Sequence, residues 1–289
     1  MTSTENAFGS FLSSRRAKVT PEEVGLPASG TRRVPGLRRG ELANLAGVSV
    51  EYVARLERGA IRGVSESVLD ALSRALRLDE AEHDHLLDLA RALSGTAPKP
   101  RKRKQPIRDS IQMVLDSISG APAFVRNGRA DILATNTLGR ALYSEMFDQH
   151  GGAPNHARFI FLNNRARRFY PHWDGAADDI VAILRTEAGR DPFDTDLTAL
   201  IGELSTRSDE FRTRWAAQNV RRHYSGTKHF NHPAIGDLHL WFEAMDISAE
   251  DGLTLLVYPA TAGTTDADAL TLLASWHENA HDPTVSERS

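Results

Sequence analysis

The sequence predicts two domains of different class: an all-α N-terminal domain of five short helices, then an α+β domain built on an antiparallel sheet. Three observations carry this. Before residue 94 the apolar residues recur at helical spacing. Residues 94–106 read SGTAPKPRKRKQP, a stretch of three prolines, a glycine and a basic run that cannot continue a helix and has nothing to bury. After it, strand-like runs stand at both ends of a long helical stretch, the arrangement of a sheet with helices on it. The expected boundaries are 1–93 for the first domain, 94–106 for an exposed linker, 107–280 for the second domain and 281–289 for a polar tail. A length of 289 residues suits two domains, at roughly 150 residues each.

The elements follow in order. Phe8, Leu12 and Val19 mark an opening helix, closed off by Thr20-Pro21 and Gly25-Leu26-Pro27. Leu42, Leu45 and Ala46 form one stripe, and Val50, Val53 and Leu56 a second. Val68, Leu69, Leu72 and Leu76, then Leu86, Leu87, Ala90 and Leu93, continue the i, i+3, i+4 pattern. Beyond the linker, Ile107 to Ile118 is amphipathic. AFVRN and ADILATN, split by Gly128-Arg129, read as a β-hairpin. Helical sequence runs from about 136 to 219, with breaks near Gly151-Gly152, Pro171 and Asp191-Pro192. Strands are expected near 222–230, 238–245 and 253–258, and a last helix near 266–277.

Composition narrows the function classes. With no cysteine, disulfides, thiolate metal sites and cysteine nucleophiles are excluded together. No segment approaches ~18 consecutive apolar residues, and the first residues lack the apolar stretch of a signal peptide, so a cytoplasmic protein without a membrane span is expected. The overall charge of −3 hides a partition. Residues 1–106 carry 18 Lys and Arg against 13 Asp and Glu, a net +5, whereas residues 107–289 carry 17 against 25, a net −8. A basic half beside an acidic one points to a nucleic-acid partner for the basic half. Arg101-Lys102-Arg103-Lys104 in the linker serves equally as a solvated tether or a phosphate contact.

The segment RGELANLAGVSVEYVARLERG, residues 39–59, has the spacing of a helix-turn-helix. Two helices crossing at a tight angle need a small residue where they pack, here Ala43, and a turn residue tolerant of positive φ, here Gly47. Leu42, Val48, Val53 and Leu56 fill the wedge, and Ser49 is placed to cap the second helix. An ordinary αα-hairpin would need the same residues. The surrounding arginines favour the DNA-reading version, in which the second helix enters the major groove of a duplex by its N-terminal end. Ser49, Val50, Glu51 and Arg55 then face base edges, with Arg55 suited to a bidentate guanine contact and Glu51 to accepting from cytosine. Arg38, Arg39 and Arg62 are the candidates for phosphates, and Tyr52 and Arg58 complete the expected DNA-binding set.

LRRGELANLAGVSVEYVARLERG followed by SVLDALSRALRLDEAEHDHLLDLA resembles the xenobiotic-response-element (phage-repressor-like) helix-turn-helix family. NHARFIFLNNRARRFYPHWDGAADDIVAILRTEAGRDP and ELSTRSDEFRTRWAAQNVRRHYSGTKHFNHPAIGDLHL resemble the ligand-binding domain of MmyB-like regulators. The resemblance covers roughly residues 8–275. It implies a PAS-like second domain with an apolar cavity for a fatty-acyl-like ligand, and homodimers on partly palindromic operators. HYSGTKHFNHP departs from the family, with aromatic and His residues where the family runs more basic. Asn155 and Arg158 match the family's NxxRF stretch, and Arg158 is placed either to hold a carboxylate or to form a structural ion pair.

The second half also gathers Trp173, Phe193, Phe211, Trp215, Trp241 and Phe242, aromatics that build either a plain core or a cavity wall. Trp173, Phe211 and Trp215 join Asn155 and Arg158 as candidate ligand residues. A second domain that only dimerises or binds a protein partner is the alternative. HENAH, residues 277–281, fits the zinc-hydrolase pattern HExxH, yet it lies at the chain's polar end with no downstream ligand except Glu287 and no surrounding core. His223, His229, His232 and His239 gather on predicted strands, as polar strand residues or as groups sharing a metal. No GxSxG, GxGxxG or phosphate-loop pattern occurs. No catalytic residue, metal or cofactor is therefore expected, and the partners expected are double-stranded DNA, a small apolar ligand and a second copy of the chain.

Overall fold

The computed structural model describes residues 3–27, 36–59, 63–93, 107–148, 153–219 and 224–281, without the side chains of residues 3–6 and 277–281. The chain divides into two compact units, residues 1–101 with 185–199 and 213–221, and residues 102–184, 200–212 and 222–289. Arg62, the basic run of the linker, His223 and the HENAH side chains lie outside the described residues.

Among the described residues, the N-terminal region has five α-helices, α1 (Ser3–Lys18), α2 (Arg39–Ala46), α3 (Val50–Glu57), α4 (Glu66–Ala75) and α5 (Glu80–Leu93), with a short 3-10 turn at Glu22–Val24 after α1. The helical spacing has a single consequence. Phe8, Phe11 and Leu12 of α1, Leu42 and Ala43 of α2, Val53 and Leu56 of α3, Leu69 and Leu72 of α4 and Leu86 and Leu89 of α5 all enter one core. The start of α5 is set by side chains. Before α5, Asp79 and Glu82 cap reciprocally: the Glu82 N–H donates to Asp79 Oδ1 at 2.9 Å and the Asp79 N–H to Glu82 Oε2 at 3.2 Å. Helix α1 crosses the end of α3 so closely that a Cβ on Gly9 would lie 2.1 Å from the Glu57 carbonyl oxygen. Only glycine fits there.

The C-terminal region is α+β. Helix α6 (Asp109–Ser117) precedes the hairpin of β1 (Ala123–Asn127) and β2 (Ile132–Thr135). Between β2 and β3 lie α7 (Thr137–Leu142), α8 (Ser144–Phe147), α9 (His156–Leu162), α10 (Ala166–Phe169), α11 (Trp173–Arg190), α12 (Thr195–Arg207) and α13 (Asp209–Ala216). Strands β3 (Ser225–His232), β4 (Gly236–Asp246) and β5 (Leu253–Val257), then α14 (Thr265–His281), complete it. The five strands form an antiparallel sheet in the order β2-β1-β5-β4-β3. Strand β3 runs to His232, past the expected end, because its pairing with β4 continues to Asn231–Asp237 and His232–Gly236.

Alternation decides what each face does. Along β4, Leu238, Leu240, Phe242 and Ala244 are buried while Asp237, His239, Trp241 and Glu243 are exposed. Helix α6 covers part of one sheet face, with Ile111 and Leu115 on Ala123 and Val125. The other face carries the aromatic core, in which Phe124, Tyr143, Phe169, Phe230 and Tyr258 meet at ring separations of 5.4–6.2 Å. Asn136 locks the hairpin to α7. Its Oδ1 accepts from the N–H groups of Ala123 (2.9 Å) and Gly139 (2.7 Å), and its Nδ2 donates to the carbonyls of Ile118 (2.7 Å) and Ala121 (2.8 Å).

Candidate nucleic-acid interface and ligand cavity

Helices α2 and α3 meet at Gly47, whose φ of 65° is the left-handed conformation the turn needs. Ser49 then caps α3, its hydroxyl accepting from the Tyr52 N–H at 3.1 Å. Val53 and Leu56 point into the core with no exposure. That leaves Ser49, Val50, Glu51, Arg55 and Arg58 exposed and Tyr52 half-buried on one outward row. Arg38 and Arg39 are exposed at the start of α2. The row is held by a device that spacing does not reveal. Glu57, at the end of α3 with a side chain only 3% exposed, accepts from Arg16 Nε of α1 at 2.6 Å and from Arg39 Nε of α2 at 2.5 Å. Arg16 also donates to the Leu37 carbonyl at 2.7 Å. One carboxylate thus ties three helices together, and Arg39 serves the frame as well as facing solvent.

A cavity of about 40 Å³ lies inside the C-terminal unit. Its walls come from β1 (Arg126), α9 (His156, Ile160), α11 (Asp179, Ile180, Ile183), β3 (Lys228), β4 (Phe242) and the end of β5 (Leu256), with Tyr143, Tyr170 and Tyr258. Ile183 and Lys228 are the partly exposed members of this lining, so the mouth lies between α11 and β3. Lys228 Nζ and Asp179 Oδ2 pair across it at 2.5 Å. Inside, His156 Nε2 and the Tyr170 hydroxyl lie 2.9 Å apart. Tyr170 reaches Tyr143 at 3.4 Å, and Tyr143 reaches Tyr258 at 3.3 Å.

Burial sets the protonation states. It lowers the His156 pKa to about 3, reinforced by the charges of Arg126 and Lys228. Burial also pushes Tyr258 up to about 12 and raises Tyr143 and Tyr170 well above the usual phenol range. At neutral pH the whole chain of groups is uncharged, with one mobile hydrogen on the imidazole and one on each phenol.

The five candidate ligand residues sit elsewhere. Asn155 caps α9, accepting from the Arg158 N–H at 2.9 Å, while its Nδ2 donates to the Arg129 carbonyl (2.9 Å) and Asp131 Oδ1 (2.8 Å). Arg158 pairs with Glu203 at 2.8 Å. Trp173 donates its indole N–H to the Ile160 carbonyl at 3.1 Å and carries the Arg167 guanidinium over its ring at 3.8 Å. Phe211 packs edge-on to Phe161, and Trp215 lies under the Arg185 guanidinium at 4.0 Å. None of the five lines the cavity. Of the other aromatics, Phe242 does, whereas Phe193 and Trp241 are exposed.

The histidines divide as well. His232 is buried, its Nε2 on the Ala141 carbonyl at 3.1 Å and its Nδ1 accepting from the Ala234 N–H at 3.2 Å, which fixes one tautomer. His229 and His239 stack at 4.1 Å on the sheet. Among the described residues no cluster of His, Asp or Glu is arranged to hold a metal ion, and no helix is long and apolar enough to cross a membrane.

Residues 7–86 match the helix-turn-helix domain family, and residues 107–273 match the MmyB-like transcription regulator ligand binding domain. Both are domains of transcription regulators and neither is an enzyme family. No curated protein matches the chain. Since the second match spans more than half of the sequence, the chain belongs to the MmyB-like transcription regulator family, as a DNA-binding regulator with a C-terminal ligand-binding domain.

Proposed function

We propose that the protein reads a specific operator through the outward row of α3 and that a small molecule in the C-terminal cavity sets its affinity for that operator. The observation that carries the first half is the exposed set Ser49, Val50, Glu51 and Arg55 at the N-terminal part of a capped, fully packed helix. A rigid helix presenting such groups suits major-groove base edges, with Arg55 on guanine O6 and N7 and Glu51 on cytosine N4. Arg38, Arg39, Arg58 and Arg62 neutralise phosphates and set the register. Two copies on a partly palindromic site double this contact set. Support for the second half is the lining of this cavity, apolar and aromatic with a few converging polar groups.

The test is selection of bound duplexes from a randomised pool, followed by titration of the winner against a scrambled duplex. A ratio of at least about 10³ is expected for an operator-reading protein. A ratio near one overturns the reading. Sedimentation with and without the winning duplex checks the two-copy complex.

A further inference from the structure

We infer that Val50 reads the C5-methyl group of a pyrimidine in the major groove, so that the operator carries a methyl-bearing base, thymine in unmodified DNA, opposite the start of α3. This rests on the reading of α3 as the helix that meets base edges.

The apolar side chains of the N-terminal helices belong to their core, with two departures. Among the described residues of α1 to α5, Leu45 and Val50 are the large apolar side chains that stand well exposed, at 37% and 44%. Leu45 lies on α2, the helix of such a pair that crosses the sugar–phosphate backbone. Val50 is the first residue of α3, between Ser49 and Glu51, which are exposed as well. It stands on the row offered to base edges. A Cβ on Gly40 would lie 3.9 Å from Val50 Cγ2, so one methyl of the side chain lies beside the first turn of α2, next to Arg39. β-Branching leaves few rotamers for such a side chain. The cap from Ser49 to the Tyr52 N–H fixes the backbone that carries it.

Groove chemistry selects the partner. The edges that base pairs present in the major groove are hydrogen-bond donors and acceptors, with one apolar group among them, the C5-methyl of thymine. Val50 offers no hydrogen bond. Against a donor or acceptor it strips water without replacing the bond, a cost that works against that base. Against the methyl both surfaces leave water together. The same methyl in the same place occurs on 5-methylcytosine, whereas cytosine and uracil lack it. Helix α3 then reads with three different chemistries: an apolar contact at Val50, an acceptor at Glu51 and a bidentate donor at Arg55.

The experiment titrates the full-length protein against the duplex selected from the randomised pool. Each thymine is replaced in turn by deoxyuridine, which removes the methyl and keeps every hydrogen-bonding group. A loss of about fourfold in affinity is expected at one base pair for each bound copy, the value of one methyl-sized group buried. At that pair cytosine and 5-methylcytosine are then compared. An advantage for the methylated base extends the contact to it, and no advantage confines the contact to thymine. Val50→Ser, which removes both methyls of the side chain, is expected to bring the thymine-to-deoxyuridine ratio below about twofold. A duplex in which no thymine is sensitive to its methyl overturns the inference. A sensitivity that Val50→Ser leaves unchanged does so too, since it belongs to the shape of the DNA. The deoxyuridine scan is made on the unmodified chain, so the inference stays testable even if Val50→Ser does not fold. An operator whose preference depends on Arg55 but shows no Val50-dependent methyl effect removes this contact alone, whereas a pool that yields no operator removes the reading of α3 with it.

Discussion

Replacing Glu57 by Ala tests whether the reading face of α3 depends on a buried charge. The carboxylate is 3% exposed, and its two partners differ sharply in environment: the Arg16 side chain is 11% exposed and that of Arg39 54%. Removing one member of a buried pair leaves the other charge unpaired at a cost of about 3–5 kcal/mol. The solvated Arg39 arm contributes at most about 1 kcal/mol, since water and salt replace most of it. The Arg16 contact therefore dominates, and Glu57→Ala is expected to lower unfolding free energy by about 4 kcal/mol, a large share of the ~5–15 kcal/mol typical of a domain. Urea unfolding should show a lower midpoint with the slope unchanged. Arg39→Ala, by contrast, should lose no more than about 1 kcal/mol in stability while weakening binding to every duplex alike. A Glu57→Ala protein within about 1 kcal/mol of the parent would refute the idea that this carboxylate holds the three helices.

Arg55→Ala should relax sequence preference at one base pair, at a cost of about 1–3 kcal/mol on the best operator and little on a scrambled one; equal loss on both removes Arg55 from base reading. Asn136→Ala strands two buried N–H groups and two carbonyls, and should destabilise the C-terminal unit by about 3–5 kcal/mol in chemical unfolding. Lowering the pH acts through His85 and His156, both held at about 3 by burial against an ordinary value of 6.5. The unfolded chain takes up protons first, so stability is intact above about pH 6.5 and falls by about 1.4 kcal/mol per pH unit for each histidine between about pH 6 and 4. Unfolding midpoints flat over that range contradict the assignment.

What was legible in the sequence follows the distance between the residues that cooperate. The helix-turn-helix is local: Ala43, Gly47, Ser49, Val53 and Leu56 carry their meaning in their spacing, and the φ of Gly47 and the cap from Ser49 are where that spacing puts them. The hairpin of β1 and β2 was legible for the same reason, with Gly128-Arg129 between two strand-like runs. The role of Glu57 was not, because Arg16 lies 41 residues away.

The cavity is the harder case, and the reason is energetic. Its lining is drawn from residues 126 to 258, so no window of sequence contains it. Size alone selected Trp173, Phe211 and Trp215, but large aromatics are useful wherever apolar area is to be buried, and these three stack and pack away from the cavity. Asn155 carried a local signal of another kind, since an Asn directly before an apolar helical run is an N-cap, and its side chain is fully used there. The informative signal was polarity out of place. Arg126 is buried in the strand AFVRN, next to its last residue, and Asp179 sits in the apolar run of α11. Burying a charged group is costly unless something compensates it, so a charge inside an otherwise apolar element marks a place where the fold arranges polar partners. Read in that order, charges before aromatics, the sequence points to the walls of the cavity and not to the core beside it.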